Sequence, residues 1–151
     1  LYVSGSAHLD MDANKRYLGF QDACRRLSVD KPSAVDAAER QFVRMDYQET
    51  VAEIFRNHPD VDGILCSNDV IAAEIIQYCR RHEIDIPGRL KLIGYDDTRF
   101  ASLCWPQLTT IHQPVEDICR YAVESILHAS SGGVVPTCAV FPVTLVTRET
   151  T

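Results

Sequence analysis

The sequence predicts an α/β fold built on a parallel sheet, and three observations lead there. Residues 63–97 read as a short apolar run, an amphipathic stretch, a Pro-Gly turn and a second short apolar run. The runs Ile64-Leu65-Cys66 and Leu92-Ile93 are too short for helices and suit strands covered on both faces. Between them Ile71, Ile75, Tyr78, Cys79 and His82 recur at helical spacing, with Asn68 or Asp69 placed to cap the helix start. This is a βαβ unit, so its strands are expected to be parallel with a right-handed crossover. Each strand ends in a polar cluster, Ser67-Asn68-Asp69 after one and Asp96-Asp97 after the other. Parallel strands present their carboxyl ends at one edge of the sheet, where open α/β folds bind ligands.

The remaining elements follow in chain order. Residues 1–4 form a short strand that stops at Gly5. Asp10 or Asp12 then caps a helix whose apolar face is Ala13, Tyr17, Phe20, Cys24 and Leu27, with Arg16 on its first turn near the strand's carboxyl end. Gly19 falls inside this helix, where Gly costs about 1 kcal/mol relative to Ala; close approach of a neighbouring backbone is the favoured reason for it. Lys31-Pro32 breaks the helix. Residues 35–38 read as a poor strand, and Phe42 stands among polar neighbours in a loop. Asp46 and Glu49 resemble a capping box before a helix faced by Val51, Ile54, Phe55 and His58.

Beyond the central unit, residues 98–108 read as a loop with one helical turn, and residues 109–112 as a short strand. Pro114 suits the first position of an amphipathic helix faced by Val115, Ile118, Cys119, Ala122, Ile126 and Ala129, which Ser131-Gly132-Gly133 terminates. Two strand-like runs, 138–141 and 143–147, are divided by Pro142, which favours an edge or a crossing between sheets.

Composition narrows the function. With 151 residues, 46% of them hydrophobic, the chain suffices for one compact core. Its net charge of −6 argues against a nucleic-acid surface on this piece. No apolar run approaches the roughly 20 residues of a membrane span. The six cysteines form no CxxC pair and several lie on predicted strands or helix faces, so free buried thiols in a reducing compartment are expected. The chain starts at Leu1 as a strand already in progress, without Met or signal peptide, so it reads as part of a longer protein.

Motifs of catalysis are missing. There is no HxxxH, HExxH or CxxC for a metal, no GxSxG nucleophile elbow, no dinucleotide fingerprint and no GxxxxGK[ST] phosphate loop. No metal, no cofactor and no enzyme activity are therefore expected. What remains is polar side chains at strand ends. Asn68 offers two donors and an acceptor, Asp96 accepts, and Arg16 presents a planar fork of donors. Converging, they would grip vicinal hydroxyls or a carboxylate, and an aromatic such as Phe42 would cover the apolar face of a sugar ring. Each also has a plain structural reading: Asn68 as an N-cap, Asp96 or Asp97 solvating a turn, Arg16 in a surface ion pair, Phe42 in the core.

Five segments in order carry a resemblance: residues 16–20, 62–69, 91–97, 108–114 and 142–148, among them Gly94-Tyr95-Asp96-Asp97 and Leu108-Thr109-Thr110-Ile111. Over nearly its full length the sequence resembles the effector-binding domain of the lactose-repressor family of bacterial transcription regulators. The resemblance implies a three-layer, Rossmann-like lobe of a periplasmic-binding-protein-like domain, with a crossover helix belonging to a partly missing second lobe. On that basis residues 1–105 form the C-terminal lobe, 106–137 the crossover and the helix of the N-terminal lobe, and 138–151 the return strands. The DNA reader and most of the first lobe would be absent.

The resemblance also implies roles. Arg16, Asn68 and Asp96 fall on positions that hydrogen-bond effector hydroxyls, Phe42 on an aromatic that stacks on the ligand, and Gln113 on a crossover position near the cleft. Cys104 and Trp105 fall where the family places apolar dimer contacts. The implied protein is a cytoplasmic homodimer that senses a sugar-class effector between its lobes and contacts operator DNA only through the missing N-terminal domain, with no membrane partner. A periplasmic sugar receptor of a transport system is the alternative, and a small hydrolase using Asp96 or Asp97 is a third reading.

Overall fold

The computed structural model describes residues 1–4, 11–29, 33–36 and 48–151. Within them six strands form one sheet in the order β2-β1-β3-β4-β5-β6. The strands are β1 (Tyr2–Ser4), β2 (Ala34–Asp36), β3 (Gly63–Cys66), β4 (Lys91–Asp96), β5 (Thr109–His112) and β6 (Thr144–Val146). The first five run parallel, and β6 pairs antiparallel with β5. The order reverses at β1, whose neighbours are β2 on one side and β3 on the other. Such a reversal opens a crevice above the carboxyl ends of the strands.

Helices cover the two faces because alternate strand residues point opposite ways. Val3, Ile64, Cys66 and Leu92 point to one face and pack with Val51 and Ile54 of α2 (Gln48–Asn57) and Ile71, Ile75 and Cys79 of α3 (Asp69–Arg81). Tyr2 points to the other face, where its ring lies 5.5 Å from Tyr17 and 5.6 Å from Phe20 of α1 (Met11–Arg26). The helix periods read from the sequence are thus realised as buried stripes. This holds for α1, α2 and α3 but not for α5 (Val115–Ser130), and at the end of α1 Leu27 falls beyond Arg26 and is left 75% exposed.

Several expectations change. A Cβ on Gly19 would meet no atom within 4 Å among the described residues, so no neighbouring backbone crowds it. The turn at 98–108 is α4 (Arg99–Leu103), anchored by the buried Ala101. Pro114 occupies the N-cap of α5 (Val115–Ser130) rather than its first turn. Residues 138–141 form no strand: β6 takes the free edge of β5, and Val140 is 89% exposed with no layer to pack against. Strand β5 lies in the same sheet as β1 to β4. Helix α5 has no buried residue, and Val123, Ile126 and Leu127 on it are exposed. All six cysteines are free; Cys24, Cys66 and Cys79 are buried as expected, whereas Cys119 and Cys138 are exposed.

Candidate functional site

The site forms where β3, β4 and β5 end and α1 passes over them. The Arg16 Nη1 donates to the Ser67 carbonyl at 2.7 Å, and its guanidinium lies over the Tyr95 ring, 3.9 Å from the centroid. Nη2 stands 3.7 Å from Asp96 Oδ1. The same oxygen accepts a hydrogen bond from Gln113 Nε2 at 2.7 Å. Three residues from α1, the end of β4 and the segment after β5 therefore meet around one carboxylate oxygen. A guanidinium stacked on a ring and bonded to a carbonyl has little freedom left, so its fork is oriented in advance.

Asn68 adjoins this cluster through Ser67. Its Oδ1 accepts from the Ile71 amide at 2.9 Å, so the plain reading of it as the N-cap of α3 is realised. Its side-chain amide donors have no protein partner among the described residues. Phe42 lies outside the described residues, as do Asp10 and Asp46. No group of three metal-ligating side chains occurs among the described residues.

The two consecutive acids divide. Asp96 has φ 107° and Asp97 φ 52°, both in the left-handed region that a side chain disfavours. The turn sends Asp96 toward Arg16 and Gln113 and Asp97 the other way, where its oxygens meet Arg148 Nη2 at 2.7 Å and His112 Nδ1 at 3.0 Å. Burial dominates Asp96 and pushes its carboxyl above the usual range; Arg16 and Gln113 oppose this, and the nearby Asp69 adds repulsion. Burial also pushes Asp97 up, but the bonds and charges of Arg148 and His112 together outweigh it and hold its carboxyl below the usual range. Of the two, Asp96 alone faces the crevice with Arg16.

An apolar slot of 450 Å³ lies beside the cluster, lined by Tyr2, Arg16, Phe20, Leu65 and Tyr95 among others. A larger recess of 670 Å³ opens at the opposite, amino-terminal ends of the strands, around Leu1, His58, Gly63 and Lys91, away from the converging side chains. Cys104 packs against the core, and Trp105 lines a separate recess with Ile76, Arg80 and Ile84. Trp105 is 72% exposed, next to the exposed Phe100 and Leu103. Sequence reasoning missed Tyr95, Arg148 and Asp69. Tyr95 sits on alternation parity with Ile93, a signal available in the strand pattern; the roles of Arg148 and Asp69 depend on contacts far apart in the chain.

A doubly wound sheet with convergent polar side chains over its carboxyl edge defines a ligand-binding lobe of an open α/β protein. The chain belongs to the periplasmic binding protein-like domain family, whose model matches residues 1–151. Curated proteins that it is similar to are named as operon repressors and transcriptional regulators. It is 32% identical over 150 residues to the ribose operon repressor of Bacillus subtilis, covering 99% of this chain and 45% of that protein. It superposes with TM-score 0.80 and 26% identity on a LacI family transcriptional regulator from Arthrobacter sp. FB24 in complex with lactose, covering 99% of this chain and 55% of that one. The Lac repressor bound to ONPG gives TM-score 0.84 at 24% identity, covering 99% and 45%, and shares the fold. The chain thus spans about half the length of these relatives, and the expected α/β sheet architecture is the one they have.

Proposed function

We propose that this chain is the effector-sensing part of a lactose-repressor-type transcription regulator, and that Arg16, Asn68, Asp96 and Gln113 bind the hydroxyls of a sugar-class ligand. The observation that carries the reading is the meeting of Arg16, Asp96 and Gln113 from three separate elements at the carboxyl edge of the sheet. A fixed guanidinium beside a carboxylate offers donors and acceptors together, the set that a polyol needs. Nothing in the cluster supplies a nucleophile with an adjacent base, so the site suits binding rather than turnover. The names of the relatives favour a regulator over a transport receptor.

On this reading the ligand is held between this lobe and a second one, and it favours one angle between them. That angle sets the spacing of DNA-reading domains in a homodimer, a coupling of typically about 1–3 kcal/mol. Phe42 stacks on the ligand, and Cys104 and Trp105 contribute to the dimer contact. An exposed Trp beside exposed Phe100 and Leu103 is an apolar patch that a partner would bury. Residues 106–137 form the crossover and the helix of the other lobe, which accounts for the exposed apolar face of α5. Free cysteines suit the cytoplasm, and no helix among the described residues is long and apolar enough to cross a membrane.

Calorimetric titration of the protein with D-ribose, sucrose, lactose and D-galactose tests this. Saturable binding of one sugar, lost in Arg16→Ala, is expected. Binding unaffected by Arg16→Ala, or release of a reaction product during the titration, would contradict it.

A further inference from the structure

We propose that Asp69 is the positioning residue of this site: its buried carboxylate locks the left-handed turn at Asp96 and Asp97, so that Asp96 faces the crevice and Asp97 faces Arg148. The inference rests on the sugar-site reading for its consequence in binding, but not for the turn itself.

Asp69 is 0% exposed on the first turn of α3, directly after the Asn68 cap. Because Asn68 already caps the helix, the Asp69 carboxylate is free to bond elsewhere. Its Oδ2 accepts from the Thr98 amide at 2.6 Å and the Thr98 hydroxyl at 3.0 Å. Its Oδ1 accepts from the Thr110 hydroxyl on β5. That hydroxyl in turn accepts from the Asp97 amide at 3.4 Å. One carboxylate therefore grips the residue after the turn directly and the turn itself through Thr110. Two consecutive side-chain-bearing residues at positive φ persist only where surrounding contacts over-determine them; Arg148, His112 and Gln113 hold the two acidic side chains, while Asp69 and Thr110 hold the backbone amides of Thr98 and Asp97.

The sequence carries the matching space. A Cβ on Gly94 would lie 2.3 Å from Asp69 Oδ1 and 2.8 Å from Leu108 Cδ2, so glycine is needed for the carboxylate to seat against β4. Asp69 does not reach the crevice. It acts by deciding which way Asp96 points.

The test compares Asp69→Ala, Asp69→Asn and Thr110→Val with the wild type. Positive φ at residues 96 and 97 is read from backbone scalar couplings and carbon shifts by NMR, and D-ribose binding from calorimetry. Asp69→Ala is expected to lose the positive-φ signature and weaken binding at least about tenfold, because the Thr98 amide loses its acceptor. Asp69→Asn should retain both, since its Oδ1 can accept from Thr98 while its amide donates to the Thr110 hydroxyl. A tolerated Asn beside a defective Ala distinguishes positioning from loss of fold. Should Asp69→Ala fail to fold, Thr110→Val removes only the hydroxyl that joins Asp69 to Asp97, and an altered turn at Asp97 is expected. A turn unchanged in Asp69→Ala, or in Thr110→Val where the former does not fold, overturns the proposal. If the wild type binds no D-ribose, the choice of sugar or the sensing function fails, while the NMR comparison still decides the role of Asp69.

Discussion

Replacing Asp96 with asparagine separates the charge of this residue from its part in the turn. Asn is among the side chains most tolerant of positive φ, so the 107° backbone at this position is retained. The Oδ1 of Asn still accepts from Gln113, whose Nε2 lies 2.7 Å from that oxygen in the wild type. What disappears is the charge opposite Arg16 and one acceptor oxygen. Asp96 Oδ2 has no protein partner among the described residues, so it is the acceptor available to a ligand hydroxyl. A hydrogen bond to a charged group contributes about 1.5–3 kcal/mol, which corresponds to roughly a 10- to 150-fold rise in Kd. Stability should move differently. The Arg16–Asp96 pair, at 3.7 Å and partly exposed, contributes less than about 1 kcal/mol. Burial of the carboxylate costs folding energy at neutral pH, as its raised pKa records, and Asn removes that cost. Calorimetric binding together with thermal unfolding should therefore show a large loss of affinity at an unchanged or higher Tm. Affinity within twofold of wild type, or a loss that parallels a falling Tm, would refute the reasoning.

Other outcomes follow from the same geometry. Acidification should weaken sugar binding before it weakens the Asp97 contacts: Asp96 takes up its proton above the ordinary carboxylate value of 3.8, whereas the stability from Asp97 is lost only as pH falls below it. Kd and Tm measured from neutral to acidic pH would show the two losses in that order. Thr150→Val should destabilise by about 1–3 kcal/mol in a urea titration, because the buried hydroxyl donates to the Leu92 carbonyl at 2.7 Å and accepts from the Thr109 amide at 2.9 Å. Trp105→Ala should shift the protein toward monomer in sedimentation, and an unchanged association constant would count against the dimer contact.

Local signals made the central βαβ unit legible. Short apolar runs, a helical period between them and a capping residue all agree over residues 63–97, and the structure follows them closely. The parallel pairing and the shared edge followed from the helical crossover read between the two runs. The run at 138–141 has strand-like composition but no sheet edge left to join, a fact decided by β6 rather than by its own residues. The apolar face of α5 was equally plain in sequence, yet periodicity cannot say what covers it. In the site, residue types at strand ends suggested Arg16, Asn68 and Asp96, and the resemblance added Gln113; their distances are a tertiary property. The opposite orientations of Asp96 and Asp97 were hidden because positive φ at two adjacent acids has no sequence signature, and Asp69, which holds that turn, resembles an ordinary helix-start acid until Thr98 and Thr110 are seen against it.

The central claim is that one polyol engages residues distant in sequence at a single edge of the sheet. An NMR titration with a sugar that saturates in calorimetry tests it most directly. The account predicts concerted shifts at the Arg16 guanidinium, the Asn68 and Gln113 side-chain amides and the Asp96 carboxyl, all fitting one Kd. Saturating shifts clustered instead around Leu1, His58 and Lys91, at the far end of the strands, would contradict it.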